Sequence, residues 1–185
     1  MTQKPDAMKF IFTAVIAITL TAFCHAQNKE YVCTPCGQDC DHKVYTKPGK
    51  CSDCGMALVE KSSVHVKDIT LDELCARLAA NPKVVLLDVR SPGEFKGTGI
   101  GRATYGHFRN AININVTELE SRVGELSQYK DAEILVYCSH SQRSPRATYF
   151  LSTQGFSNVK NMAGGVSTLM DKKGNECLKK NFVFH

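Results

Sequence analysis

The chain has 185 residues, which is enough for one ordinary domain and a small additional module but not for two full-sized domains. Hydrophobic residues make up 43% and charged residues 22%, and these values exclude wholesale disorder and collagen-like repeats. The net charge of +5 is mild, and Lys and Arg are scattered among acidic residues, so we expect no nucleic-acid partner. The unusual feature is the nine cysteines, five of which fall within residues 33–54.

Residues 1–26 have the pattern of a secretory signal peptide. Two lysines precede an apolar stretch over residues 10–23, and Ala26 is the small residue after which cleavage is expected. The apolar stretch is short for a membrane span, so we expect a periplasmic or extracellular protein with no stable membrane span in the mature chain. Two alternatives stay open, namely a lipid-modified Cys24 and a retained membrane anchor.

Residues 27–61 contain two cysteine knuckles, each with two residues between its cysteines and a glycine directly after the second. This spacing lets both sulfurs of a knuckle face one ion, and the glycine can adopt a positive φ. Two knuckles predict a tetrahedral metal site of four thiolates, which zinc favours. Because so small a module has little core, the metal would supply most of its folding free energy. The predicted metal ligands are Cys33, Cys36, Cys51 and Cys54.

The same segment resembles the small heavy-metal-binding domain found beside copper-handling and other exported bacterial proteins. The resemblance rests on Tyr31-x-Cys33, Lys47-Pro48-Gly49-Lys50-Cys51 and Cys54-Gly55-Met56-x-Leu58. Those relatives often have a Met-His pair where this chain has Pro35-Cys36, so the site here is richer in thiolate. The metal therefore stays open between zinc and a softer ion such as copper in the form of Cu(I).

The cysteine cluster has a competing interpretation as a disulfide framework, because an exported protein meets an oxidising compartment. Cys40 and His42 are additional donors beside the first knuckle, and Cys40 can be a spare thiol, a disulfide partner or an alternative ligand. Cys75 and Cys177 lie far from the cluster in sequence. They are interpreted either as a disulfide pair or as buried apolar residues.

Residues 62–185 alternate between strand and helix patterns, which predicts an α/β domain with a parallel sheet flanked by helices. Two fully apolar runs, residues 84–89 and 134–137, predict strands that are buried on both faces. A loop is predicted over residues 91–108, and a helix over 144–154.

Two capping-box patterns predict where helices begin in this domain. Thr70 with Glu73 opens a helix that should continue to about residue 80, and Thr117 with Glu120 opens one to about residue 126. The paired glycines at positions 164 and 165 precede a final helix.

The chemistry is predicted at Cys138, which follows the strand over residues 134–137 and precedes the next helix. Ligands in such folds lie at the carboxyl ends of the strands. Pro145 suits the first turn of a helix, so the loop before it can turn its N–H groups inward as a cradle for an anion. The helix dipole and Arg143 both favour the thiolate form of Cys138. The loop residues predicted to bind substrate are Ser139, His140, Ser141, Gln142 and Ser144.

The segment Cys138-x4-Arg143-Ser144 after a strand resembles the active loop of the rhodanese family of sulfurtransferases. Three further elements are similar to that family: Asp88-x-Arg90-x3-Glu94-Phe95, Gly106-His107-x2-Asn110-Ala111-x-Asn113, and Asn161-x2-Gly164-Gly165. The resemblance runs from about residue 66 to about residue 180 and implies a rhodanese-like fold. Arg109-Asn110 replaces the usual Pro-Gly, which puts the shape of that loop in question.

The resemblance implies that the Cys138 thiolate takes the outer sulfur of a donor such as thiosulfate and holds it as a persulfide. A thiol or cyanide then removes this sulfur, in ping-pong fashion and without a cofactor. Arg143 is implied to hold the loop and the anion. Asp88, Arg90 and Glu94 are implied to brace the neighbouring loops.

Two other functions compete with sulfur transfer. Phosphatases of similar design have five residues between cysteine and arginine, whereas this chain has four, so the loop should close too tightly around a phosphoryl group. The second is a non-catalytic, extracytoplasmic metal-handling protein that uses the rhodanese fold as a scaffold. Turnover that depends on Cys138 would distinguish the enzyme from the scaffold.

Overall fold

The computed structural model describes residues 29–99 and 104–185. The predicted signal peptide, with Cys24 and the expected cleavage position, lies outside the described residues. Among the residues described, no helix is long and apolar enough to cross a membrane.

The N-terminal segment forms a small ribbon of three antiparallel strands. These strands are β1 (Tyr31–Cys33), β2 (Val44–Tyr45) and β3 (Leu58–Glu60), in the order β2-β1-β3. A 3-10 helix, Asp39–His42, follows the first knuckle. Four cysteines form the buried cluster at the centre of the ribbon, with Met56 and Leu58 packed against them. The ribbon therefore has almost no aliphatic core, as its size and composition predict.

The second domain is built on a five-stranded sheet in which every pair of neighbouring strands is parallel. Its strands are β4 (Lys67–Ile69), β5 (Val85–Asp88), β7 (Ile112–Asn113), β8 (Glu133–Tyr137) and β9 (Asn158–Met162), in the order β4-β9-β8-β5-β7. A separate antiparallel pair consists of β6 (His107–Phe108) and β10 (Phe182–Val183). The central strand β8 is buried at all five positions, which confirms the prediction of a strand covered on both faces.

Helices cover both faces of the sheet, and alternate residues of β8 separate two hydrophobic cores. Leu135 and Tyr137 belong to the core that also contains Leu74 of α1 (Leu71–Ala80) and Leu178 of α5 (Glu176–Asn181). The opposite core lies against α3 (Leu119–Arg122) and α4 (Ser144–Thr153) and contains Ile134, Val136 and Cys138. The alternation therefore directs Cys138 toward the face covered by α4.

Helix α1 begins where the sequence predicts. The Thr70 hydroxyl accepts the N–H of Glu73, and the Glu73 carboxylate accepts the N–H of Thr70, so the predicted capping box is confirmed.

The prediction of one helix from a Thr117–Glu120 capping box to residue 126 is wrong. Helix α3 is short and has no side-chain cap, and residues 123–129 continue as a 3-10 helix. The N–H of Thr117 donates to Asn115 Oδ1 in an Asx turn. This N–H is therefore not available to the Glu120 carboxylate, as a capping box would require. Gly124 further disfavours a regular α-helix here.

The predicted loop over residues 91–108 also contains regular structure. Helix α2 (Pro92–Lys96) has a complete Ser91–Glu94 capping box, proline in its first turn and Gly97 in the left-handed conformation at its end. Each of these signals is present in the sequence. The glycines of this segment favour a loop, but the cap and the proline determine a helix of five residues.

A disulfide joins Cys75 of α1 to Cys177 of α5, with the two Cα atoms 5.9 Å apart. Of the two interpretations left open for this pair, the structure has the disulfide. It links residues separated by 102 positions. The chain-entropy model assigns a loop of that length about 4–5 kcal/mol of stabilisation.

Candidate functional site

Cys138 stands directly after β8, the central strand of the sheet, at the carboxyl edge where ligands bind in parallel α/β folds. Residues 138–143 form the loop that leads into α4, and we call these residues the Cys138 loop. Ser141 has a φ of 56°, in the left-handed region that L-residues rarely adopt. That turn allows successive N–H groups of the loop to face Cys138.

The Cys138 sulfur lies among hydrogen-bond donors. Ser144 Oγ is 3.3 Å from Cys138 Sγ, and the backbone N–H groups of Ser144, Arg143 and His140 also interact with it. Burial alone raises the pKa of Cys138, but these hydrogen bonds outweigh it, so the pKa is lowered from its ordinary value. The thiolate is therefore favoured by donors that are fixed in place before any substrate arrives.

Access to this sulfur is narrow, because Cys138 as a whole is only 1% exposed. A donor must present a tip that is little wider than one sulfur atom, or the loop must move.

The Arg143 side chain lies between the Cys138 loop and α2, and it interacts with both Glu94 and Cys138. Its two terminal nitrogens donate to the two carboxylate oxygens of Glu94, each at 2.8 Å. Ser139 Oγ also donates to Glu94, at 3.1 Å. Burial raises the pKa of Glu94, but hydrogen bonds from Arg143 and Ser91 outweigh this effect and hold the pKa well below its usual range. The bidentate pair therefore connects the Cys138 loop to α2.

A glycine pair supports the other side of the loop. The N–H of Val166 donates to the Cys138 carbonyl at 2.9 Å, and that of Ser167 to the Ser139 carbonyl at 3.0 Å. A Cβ at Gly165, where φ is 67°, would lie 2.5 Å from the Cys138 carbonyl oxygen. Only glycine permits this approach of two backbones.

Asn161 on β9 holds the turn of the loop. Its side-chain amide donates to Ser141 Oγ at 2.8 Å and to Asp68 Oδ1 at 2.7 Å. In the sequence, Asn161 is marked only by its place in a family element, and Asp68 carries no signal of its own. The pairing depends on β4 and β9 being neighbours, which the spacing of residues in sequence does not reveal.

The remaining predicted residues lie around the loop rather than against the sulfur. Gln142 is exposed, and His140 is exposed with its Nε2 3.1 Å from Tyr105 Oη. Of the side chains predicted to bind substrate, Ser144 is the one placed against Cys138 Sγ; Ser139 and Ser141 are directed to Glu94 and Asn161.

Asp88 and Arg90 form a fully buried ion pair beside the site, with 2.6 Å between Arg90 Nη2 and Asp88 Oδ2. Arg90 also donates to the carbonyls of Thr104 and Gly106, at 2.9 and 2.7 Å. The pair therefore anchors the segment that carries Tyr105 to the carboxyl end of β5. In the part of the chain that the structure describes, neither Asp88 nor Arg90 forms a hydrogen bond with Cys138 Sγ.

The ribbon has a group of four sulfurs whose atoms all lie within 4.8 Å of one another. This group consists of Cys33, Cys40, Cys51 and Cys54. Three of them belong to the predicted ligand set, and the fourth is Cys40, which the sequence offered as an alternative ligand. Cys36 lies in a second group, with Cys33, Cys40 and Asp41. Four thiolates at this spacing fit a tetrahedral zinc ion or another thiophilic ion.

The second knuckle is arranged to favour a thiolate. The N–H groups of Cys54 and Asp53 and the hydroxyl of Tyr45 interact with Cys51 and lower its pKa to about 6. Gly55, directly after this knuckle, has the positive φ of 72° that the sequence pattern predicts. These N–H groups would orient Cys51 as a metal ligand.

The first knuckle touches the Cys138 loop. A Cβ on Gly37 would lie 2.0 Å from the Ser141 carbonyl oxygen and 3.0 Å from Gln142 Cα. The two backbones are therefore in direct contact, at the glycine that follows Cys36. The ribbon and the Cys138 loop therefore meet at Gly37.

Comparison with protein families agrees with this geometry. A model described as "Rhodanese-like domain" matches residues 70–172, and one described as "Heavy metal binding domain" matches residues 31–61. The chain belongs to the rhodanese-like domain family. Its heavy-metal-binding domain precedes the rhodanese-like domain in the chain.

Individual relatives cover the second domain. A sulfurtransferase of Allochromatium vinosum is 30% identical over 101 residues, which are 55% of this chain and 85% of that protein. A tRNA uridine(34) hydroxylase of Buchnera aphidicola is 33% identical over 113 residues, 56% of this chain and 34% of that protein. The chain thus spans about a third of the length of the hydroxylase. The family and the sulfurtransferase support sulfur transfer as the general class of chemistry.

A solved structure of a rhodanese-related protein from Thermoplasma volcanium is also similar. It is 28% identical, with a TM-score of 0.48, and the match covers 58% of this chain and 93% of that one.

Proposed function

We propose that this chain is an exported sulfurtransferase that carries one sulfane sulfur on Cys138. The observation that supports it best is the set of donors on Cys138 Sγ, namely the Ser144 hydroxyl and three backbone N–H groups. A persulfide is also an anion, so donors that favour the thiolate also favour the loaded form.

The proposed reaction has two half-reactions. The Cys138 thiolate attacks the outer sulfur of thiosulfate; the new bond is Cys138 S–S, the sulfur–sulfur bond of thiosulfate breaks, and sulfite leaves with its electron pair. In the second half, a thiolate or cyanide attacks the outer sulfur of the persulfide. The Cys138 S–S bond breaks, and the thiolate returns to the donors of the loop.

The loop residues have positioning roles in this proposal. Glu94 and Asn161 hold the loop from two sides, so its N–H groups need no reorganisation when negative charge arrives. Arg143 is engaged by Glu94, and its side chain also interacts with Cys138, so its positive charge favours the anionic sulfur. The four residues between Cys138 and Arg143 support transfer of a single atom over that of a phosphoryl group.

Export is the part of the proposal that rests on the leader and on the disulfide. The Cys75–Cys177 bond supports it, because disulfides persist in oxidising compartments and are rare in the cytosol. Export would be tested by the mass of the protein recovered from the periplasm or medium. Cleavage after Ala26 predicts a chain that begins at Gln27.

Thiosulfate:cyanide turnover by the purified chain and by Cys138→Ser tests the catalytic step. We expect turnover in the wild type, loss to background in the variant, and unchanged circular dichroism because serine is nearly isosteric. Mass spectrometry of the wild type after thiosulfate treatment should show a gain of one sulfur on the peptide containing Cys138. An organic persulfide as donor, run in parallel, tests the donor class.

Two results would count against the proposal. Turnover that survives Cys138→Ser would place the chemistry elsewhere. A wild type that gains no sulfur from either donor would instead favour the non-catalytic metal-handling alternative.

A further inference from the structure

The ribbon contains two overlapping groups of potential metal ligands rather than one. The first is the four-sulfur group of Cys33, Cys40, Cys51 and Cys54. The second consists of Cys33, Cys36, Cys40 and Asp41, and its ligand atoms also lie within 4.8 Å of one another. Both groups contain Cys33 and Cys40, so these two sulfurs lie between the remaining members.

The spacing of the sulfurs is that of a shared coordination shell. Cys33 Sγ is 3.2 Å from Cys54 Sγ in the first group, and Cys36 Sγ is 3.5 Å from Cys40 Sγ in the second. Two thiolates on one tetrahedral zinc ion, each at about 2.3 Å from it, are roughly 3.8 Å apart. These two pairs are therefore within a few tenths of an ångström of that spacing, and the remaining ligand atoms of each group lie within 4.8 Å.

Asp41 is held in position for the second group. Its Oδ2 accepts the N–H groups of Cys36 and Gly37, at 2.9 and 2.7 Å, and its Oδ1 lies 3.1 Å from Cys36 Sγ. Oδ1 also accepts the Cys36 N–H, at 3.1 Å. Cys36 Sγ and Asp41 Oδ1 thus lie side by side, and both can face one cation.

Charge favours the second ion. One divalent ion on four thiolates has a net charge of about −2, by formal counting, and Cys36 with Asp41 would then face an anionic centre without a counter-charge. A second divalent ion, with Cys36 as a thiolate and Asp41 ionised, leaves the net charge again at about −2. The fifth thiolate and the carboxylate are thus neutralised by the ion that they bind.

A route for the ion is also present. A cavity of about 360 Å³ opens beside the cluster. It is lined by Cys36, Gln38, Asp39, Cys40, Asp53 and Cys54. The cavity borders Cys36 and Cys40 of the second group and so gives an ion a path to them.

We propose that the ribbon binds two thiophilic cations, with the Cys33 and Cys40 sulfurs bridging them. One ion would be completed by Cys51 and Cys54, and the other by Cys36 and Asp41. This second site is independent of the sulfur-transfer chemistry of Cys138.

The test is metal stoichiometry of the full mature chain, with the ribbon thiols reduced and the Cys75–Cys177 disulfide intact, titrated with Zn²⁺ and counted by native mass spectrometry. Two bound ions per chain are expected, and the same count in the Cys138→Ser variant would exclude that thiol as a ligand. Titration with ¹¹³Cd²⁺ should give two NMR resonances that are coupled through the bridging sulfurs. One ion per chain in the wild type would overturn the proposal, and this measurement requires no variant that could misfold.

Variants identify the ligands of the second ion. Cys36→Ser should reduce the count from two to one and leave the remaining ion on the four-sulfur group. Asp39→Asn is the matched control, since Asp39 is an exposed acid on the same turn and belongs to neither ligand group; it should keep two ions. A Cys36→Ser protein that still binds two ions would overturn the assignment of the second site.

Discussion

Cys138 and the cysteines of the ribbon are buried by different kinds of structure. Cys138 lies at the end of a central strand, between α2, the Gly164–Gly165 turn and β9, in a domain with two aliphatic cores. Four of the five ribbon cysteines are themselves the buried core of their module, and the fifth, Cys54, is exposed. A thiolate in the first setting is stabilised by the fold, whereas thiolates in the second can stabilise the fold only through a cation.

Metal removal should therefore separate the two regions most strongly. Structural zinc in finger-like modules contributes about 10–16 kcal/mol of apparent binding free energy at neutral pH, most of it realised as folding. Chelation of the reduced protein should abolish amide protection over residues 31–60 and leave β8 protected, as measured by hydrogen exchange. Equal loss of protection in both regions would mean that they fold as one unit.

Breaking the Glu94–Arg143 pair should have the next largest effect on stability, and this effect is confined to the Cys138 region. Glu94→Gln leaves the guanidinium of Arg143 without its bidentate partner. Because Arg143 is 28% exposed, we expect about 2–3 kcal/mol of destabilisation, below the range for fully buried pairs. Urea unfolding measures this loss, and thiosulfate turnover should fall with it. Retained stability with lost turnover would instead give Glu94 a direct part in the chemistry.

The same pair makes stability depend on pH in the acid range. The folded-state pKa of Glu94 is lowered from 4.5, so the folded protein binds fewer protons than the unfolded chain there. The contribution of the Glu94–Arg143 pair to the free energy of unfolding is complete above pH 4.5 and is lost as the pH falls through the lower pKa of the folded state. The unfolding free energy of the wild type should decline more steeply below pH 4.5 than that of Glu94→Gln. Parallel profiles would contradict this assignment.

The boundary between the two regions can be tested with a matched pair of glycines. Gly37 and Gly55 follow the two knuckles with φ values of 71° and 72°, so alanine adds similar backbone strain to each. A Cβ at Gly37 meets Ser141, whereas one at Gly55 meets nothing within 4 Å. Overpacking costs about 1–3 kcal/mol, and we expect Gly37→Ala to lower turnover several-fold more than Gly55→Ala. Equal turnover of the two variants would show that the ribbon does not influence the Cys138 loop.

In free energy, the smallest expected effect is that of the hydrogen bond from the Ser144 hydroxyl to the Cys138 sulfur. Ser144→Ala removes a donor to the thiolate worth about 1.5 kcal/mol, which corresponds to roughly a tenfold slower alkylation of Cys138 at neutral pH. Iodoacetamide labelling, read by mass spectrometry of the Cys138 peptide across pH, measures it. Ser152→Ala is the control, since Ser152 lies on the same helix and donates to the Tyr149 carbonyl instead. If the pH profile of alkylation is unchanged in Ser144→Ala, the backbone N–H groups alone stabilise the thiolate.

Much of the cradle could be predicted because its signals are local. The apolar run before Cys138, the proline at position 145 and the spacing to Arg143 place a cysteine between a buried strand and a helix. The partner of Arg143 is less local: Glu94 lies 49 residues away and meets it only when α2 packs beside the loop. The Thr117–Glu120 prediction failed because Asn115, outside the motif, captured the hydrogen bond that the capping box required.

In the ribbon, the sequence alone could count thiols but not assign them to an ion. Knuckle spacing favours Cys36 as a ligand, but Asp41 binds its N–H group and sulfur, and the following 3-10 turn brings Cys40 into the four-sulfur group. Residue types and spacing thus determined which chemistry the chain carries, because strand burial, caps and knuckles are short-range effects. Tertiary packing alone decided which groups meet. Cys75 meets Cys177 across 102 positions of the chain, and Gly37 meets Ser141 from a different domain. Asn161 meets Ser141 because β8 and β9 are neighbours in the sheet. Such contacts depend on strand order and helix placement, which short-range patterns in the sequence do not specify.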